Sequence, residues 1–158
     1  MKQVNHVHLA CSSIENILAD IDPQCEVVDG DTVYATHDGL AHAQALCHLL
    51  AARSGWWTDL KTGLPFTLEQ VNIPEKLCLI HSEVSEAMEG HRKDLMDDKL
   101  PHRKMIEVEL ADALIRIFDL AGFLKLDLAG AVVEKLAVNQ QRADHKIENR
   151  MAENGKKF

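Results

Sequence analysis

Apolar residues recur at helical spacing over most of this chain. In LCLIHSEVSEAMEG, Ile80, Val84, Ala87 and Met88 share one period, and in IEVELADALIRIFD so do Ile106, Leu110, Ala113, Leu114 and Ile117. Steps of three and four residues return to the same face of an α-helix, so both runs predict amphipathic helices. Upstream, GLAHAQALCHLLAAR places Leu40, Ala43, Leu46, Leu49 and Leu50 on a wide apolar face that stops at Gly55. Downstream, a last helix begins near Asp127 in KLDLAGAVVEKLAVNQQRADHK. Pro74 suits the first turn of the first acidic run, and Gly122 a C-terminal stop about Ala121 for the second. Between them, after Gly90, the polar stretch HRKDLMDDKLPHR with its Pro101 predicts a connection that gains order around a ligand.

Residues 1–36 have a different pattern. Ser12-x-x-Glu15 predicts a capping box for a short helix, SIENILADI, ended by Pro23. EVVDGDTVYAT alternates around Asp29-Gly30 and predicts a two-strand hairpin. The spacing of His6-x-His8 suits one face of a strand, in a structural or surface role rather than as a metal site. The expected architecture is therefore all-α, a bundle of about four main helices over residues 37–158, preceded by a small mixed appendage over 1–36.

Composition narrows the class. A chain of 158 residues with 46% hydrophobic but only 4% aromatic content suits Leu/Ala/Val-rich helices better than a β-sandwich. The net charge of −8 is uneven: residues 1–75 hold ten acidic and three basic side chains. With no basic patch, a nucleic-acid polymer is not an expected partner. Cys11, Cys25, Cys47 and Cys78 form no CxxC, which excludes a zinc ribbon. The start, MKQVNHVHLA, is not a signal peptide, and no apolar run approaches the ~20 residues of a membrane span. A cytoplasmic protein without membrane attachment is the expectation.

The candidate chemistry is acidic. Glu83 and Glu86 lie three apart on one predicted helix, Glu109 and Asp112 three apart on the next, so each pair can present two carboxylates to one ion. On a helical wheel Glu83 falls between Leu79 and Ala87, inside the apolar arc. Glu109 lies beside Ala113 and Leu120, with Asp112, Arg116 and Asp119 on one charged strip. Carboxylates at the rim of an apolar face are costly to desolvate without a cation or hydrogen bonds. Oxygen-only ligands suit Mg²⁺ or Mn²⁺ shared with substrate phosphates. The same spacing also arises on solvated faces of acidic helices, and both readings stand at this point. Near the C-terminus Lys135, Asn139 and Arg142 stack at i, i+4 and i+7, a cation, an amide and a guanidinium suited to phosphate oxygens or, equally, to a solvated face. Trp56 and Trp57, in a long loop before the first acidic helix, can pack a core edge or stack on a nucleobase.

Taken in order, HSEVSEA, ELADALIRIFDLA, KLAVNQQR and a closing NGKKF resemble the MazG-like all-α nucleoside triphosphate pyrophosphohydrolases over residues 38–158. That superfamily's pattern is an ExxE helix, an ExxD helix, then a K-x-x-x-N-x-x-R helix. The resemblance implies Glu83, Glu86, Glu109 and Asp112 as Mg²⁺ ligands and Lys135, Asn139 and Arg142 as phosphate contacts. It also implies cleavage of (d)NTP to (d)NMP and pyrophosphate, and assembly as a homodimer or homotetramer. Glu86 is the carboxylate preferred as acceptor of the attacking water's proton. Many members carry EExxE, whereas here the first position is Ser82, which bears on how many ions bind. A carboxylate-bridged di-iron bundle calls for ExxH on two helices, and the chain contains none. The remaining alternative is a non-catalytic nucleotide-binding or regulatory module of the same fold.

Overall fold

The computed structural model describes residues 6–21 and 32–156, and all regular structure among them is helical. Its main helices are α1 (His6–Ile21), α2 (Thr32–Arg53), α3 (Ile73–Lys93), α4 (Met105–Phe123) and α5 (Leu128–Gln141), followed by a short α6 (Ile147–Met151). No helix among the described residues is long and apolar enough to cross a membrane. The chain divides into two compact units, Met1–Ala41 with Asp127–Phe158, and His42–Leu126, so that one boundary falls within α2.

In the first unit α1 packs on α5. Ala10 and Cys11 are buried with Val33, Val133 and Ala137, and Val7, Ile14 and Tyr34 close over them. Positions 7, 10, 11 and 14 are an i, i+3, i+4, i+7 stripe, the reason the segment is helical from His6 onward. The capping box expected at Ser12 therefore falls inside a helix rather than at its start. His6 and His8 are likewise helical, not on a strand, and Tyr34 Oη lies 2.7 Å from His8 Nδ1. The expected hairpin is corrected in its second half: Thr32–Thr36 forms the opening of α2, where burial of Val33 against α1 and α5 outweighs the β-propensity of TVYAT. Its first half and Asp29-Gly30 lie outside the described residues. At the start of α5, Asp127 is the N-cap and its Oδ1 accepts the Gly130 N–H at 2.9 Å.

In the second unit α3 and α4 form an antiparallel pair, with Gly90 against Met105 at one end and Glu83 against Arg116 further along. A Cβ on Gly90 would stand 2.8 Å from the Met105 Cβ, so the helices approach too closely there for any side chain. Gly90 therefore lies within α3, which continues to Lys93 and ends on Asp94 in the left-handed region. The seam buries Glu83, Ala87 and Gly90 against Glu109, Ala113 and Leu120. The larger aliphatics of the same helices, Val84, Met88, Leu110 and Leu114, are exposed. The connection between the helices is ordered by its own bonds. Met96 bridges Lys104, and buried Asp97 accepts the Lys99 N–H at 3.0 Å through Oδ1. Preceding α3, the long loop folds back on itself through a Thr58–Pro65 bridge, and Asn72 caps α3 by accepting the Glu75 N–H.

Candidate functional site

The acidic seam of α3 and α4 is the strongest candidate. Oxygen atoms of Glu83, Glu86 and Glu109 can all lie within 4.8 Å of one another. Glu83 and Glu109 are 6% and 8% exposed, while Glu86 opens to solvent. Small neighbours make this possible, because Ala87 and Ala113 let the helix backbones close up and bring carboxylates of both helices to one point. Burial, the negative charge of Glu86 and a hydrogen bond with Glu83 raise the Glu109 pKa from 4.5 to about 7. Asp112 is exposed and outside the close trio, yet burial of its carboxyl and the charge of Glu83 raise its pKa as well. Arg116 supplies the nearest cation, its Nε 2.6 Å from Glu83 Oε1.

Two further groups were not picked out by the sequence pattern. Asp97, buried in the α3–α4 connection, adds negative charge near Asp112. A lone Asp in a polar loop has no periodicity to mark it. His48, on α2, donates from Nδ1 to Asp119 Oδ1 at 3.0 Å, and the same oxygen accepts the Trp57 Nε1–H at 2.7 Å.

A cleft of about 590 Å³ opens beside the seam within this unit, lined by Leu46, Leu50, Trp56, Asp112, Arg116 and Asp119 among others. The two tryptophans are used differently. Trp57 is 5% exposed and stacked on Phe123 at 4.1 Å between centroids, with Lys76 Nζ 4.8 Å from its ring centre. Trp56 is 68% exposed at the cleft. Lys135, Asn139 and Arg142 belong to the first unit. Lys135 is exposed, and the buried Asn139 Oδ1 has no hydrogen-bond partner among the described residues. The expected stack of three is shortened to two. α5 ends at Gln141, and Arg142 follows with extended backbone, its guanidinium bonded twice to Asp144 at 2.9 and 2.7 Å. That local pair engages both Nε and Nη2 of the guanidinium with a residue beyond the helix end. No family model, no curated protein and no solved structure matches the chain.

Proposed function

We propose that this chain is a Mg²⁺-dependent nucleoside triphosphate pyrophosphohydrolase of the MazG-like kind, releasing pyrophosphate and a nucleoside monophosphate. The observation that carries the reading is the trio Glu83, Glu86 and Glu109, gathered from two helices within 4.8 Å. Burial, joined by the like charges brought this close, raises the Glu109 pKa to about 7, so the donor set is short of positive charge. Oxygen-only donors in that condition fit a hard divalent cation, which Glu83, Glu86 and Glu109 would hold with Asp112 one turn further along α4. Such an ion, when bound, offsets phosphate charge and acidifies a water.

The chain's own residues have distinct tasks in this reading. Glu86, the exposed member, accepts the proton of the attacking water. Arg116 tempers the charge of Glu83 and lines the cleft where the nucleotide lies. Trp56 offers an uncovered indole face to the base. Lys135, Asn139 and Arg142 are proposed as phosphate contacts on their chemistry alone. The exposed aliphatic faces of α2, α3 and α4 are covered in a homodimer or homotetramer.

Pyrophosphate release from a nucleotide panel, with and without Mg²⁺, is the test. The expected result is monophosphate and pyrophosphate only with the metal, reduced by orders of magnitude in Glu83→Gln and Asp112→Asn. Tight nucleotide binding without product would select the non-catalytic module instead. Neither binding nor product would overturn the nucleotide reading altogether.

A further inference from the structure

Asp119 stands seven residues beyond Asp112 on α4, about 10 Å along the axis at 1.5 Å per residue. Both side chains line the same cleft. If phosphates lie at the acidic seam, as proposed above and as this inference requires, a sugar and base extending along the cleft bring the base edge toward Asp119.

The carboxylate is held in one orientation. Its Oδ1 accepts both the His48 Nδ1–H and the Trp57 Nε1–H, and Trp57 is itself fixed by stacking on Phe123. Its Oδ2 accepts no hydrogen bond among the described residues. Lys76, the other cation of the cleft wall, lies over the Trp57 ring. An oriented acceptor in a wall that is otherwise largely aliphatic and aromatic is a selective contact, because its partner is decided by hydrogen-bond sense rather than by area.

We propose that Asp119 sets base specificity, favouring nucleotides whose base presents an amino group to the cleft over those presenting a carbonyl. An ionised carboxylate only accepts hydrogen bonds. The N4 amino group of cytosine and the N6 amino group of adenine donate to it, whereas the O4 carbonyl of thymine or uracil sets acceptor against acceptor. Burying that opposed pair leaves both groups without a partner, which costs more than the missing bond itself. His48 and Trp57 are positioning residues that aim the carboxylate.

The experiment compares dCTP with dUTP, which differ at position 4 (amino against carbonyl) and at the adjoining N3 (acceptor in cytosine, N–H donor in uracil) and share the rest of the nucleotide. For the wild-type protein kcat/KM is expected to favour dCTP by about tenfold or more, the discrimination typical of one base-edge contact. Asp119→Asn keeps an oxygen for His48 and Trp57 and replaces the other oxygen with an NH₂ donor. In that variant the dCTP/dUTP ratio should invert while the melting temperature stays near that of the wild type. A wild-type preference for dUTP would overturn the proposal, and so would an unchanged ratio in folded Asp119→Asn. If Asp119→Asn does not fold, the wild-type ratio alone decides. Should the wild type release pyrophosphate from no nucleotide, the hydrolase reading fails separately. The base contact is then judged from equilibrium binding of dCMP and dUMP by tryptophan fluorescence, where equal affinity, or no binding, overturns it.

Discussion

Glu109 couples site chemistry to stability. Its folded pKa of about 7 lies above the ordinary 4.5, so across that interval the native state holds a proton that the unfolded chain has released. Stability from this group is therefore lost as pH rises from about 4.5 to about 7. In chelator, the melting temperature of the wild type should drop over that window relative to Glu109→Gln, which has no such proton to lose. Parallel pH profiles for the two proteins would refute the crowded-carboxylate account. The tryptophans separate in the same direct way. Trp56→Ala should leave the melting temperature nearly unchanged and raise KM for every nucleotide by roughly tenfold, since stacking contributes ~1–3 kcal/mol. Trp57→Ala removes a buried ring stacked on Phe123 and should cost ~3–5 kcal/mol of stability. Equal thermal effects from the two substitutions would contradict this division of roles.

At the scale of the element, glycine and alanine decide how near the helices come. Gly122, near the end of α4, faces α2, and a Cβ there would lie 2.7 Å from the His48 Cγ. Because the obstructing atoms sit near the root of the imidazole side chain, they cannot swing away without moving α2. Gly122→Ala is therefore expected to destabilise by about 1–3 kcal/mol, as overpacking does. It should also disturb the His48–Asp119 bond. Denaturant unfolding of Gly122→Ala beside His48→Gly/Gly122→Ala, with His48→Gly alone as the reference, measures this directly: removing the His48 Cβ and ring should recover part of the Gly122→Ala loss, and no recovery would rule out the clash as its cause. The α3–α4 seam follows the same logic, since its small residues bring carboxylates together where larger ones would hold the helices apart.

For the whole molecule, the distribution of apolar surface points to association. Leu46 and Leu49 on α2, Met88 on α3 and Leu114 on α4 are each more than half exposed, although the sequence sets them on apolar faces. Aliphatic surface on this scale is ordinarily covered by another chain. A two-fold dimer is the expected minimal species, and sedimentation at micromolar protein should show it. A monomer throughout that range would count against coverage by a second copy. Replacing Leu49 and Met88 together with Ser should weaken association without touching the acidic trio.

By itself the sequence determined the helical class and the placement of most of the later elements. Pro74 near the start of α3, Asp127 before α5 and the three-four spacing of aliphatics are local signals, and local backbone preferences answer to them. It also marked Glu83 and Glu109 as acidic residues on apolar arcs, each paired at three-residue spacing with a second carboxylate, Glu86 and Asp112. Tertiary structure decided what those arcs pack against. Read along one helix, Glu83 is a rim residue; only the approach of α4, permitted by Gly90, Ala87 and Ala113, makes it buried and joins it to Glu109 and Arg116. The N-terminal segment was misread for a related reason. TVYAT alternates like a strand, but Val33 and Tyr34 gain more by packing with α1 and with α5, the latter about a hundred residues away in sequence. His48, Asp97 and Asp119 likewise acquire their tasks only in space: hydrogen bonds across 71 residues, or a charge felt across a loop, leave no periodic trace in the chain.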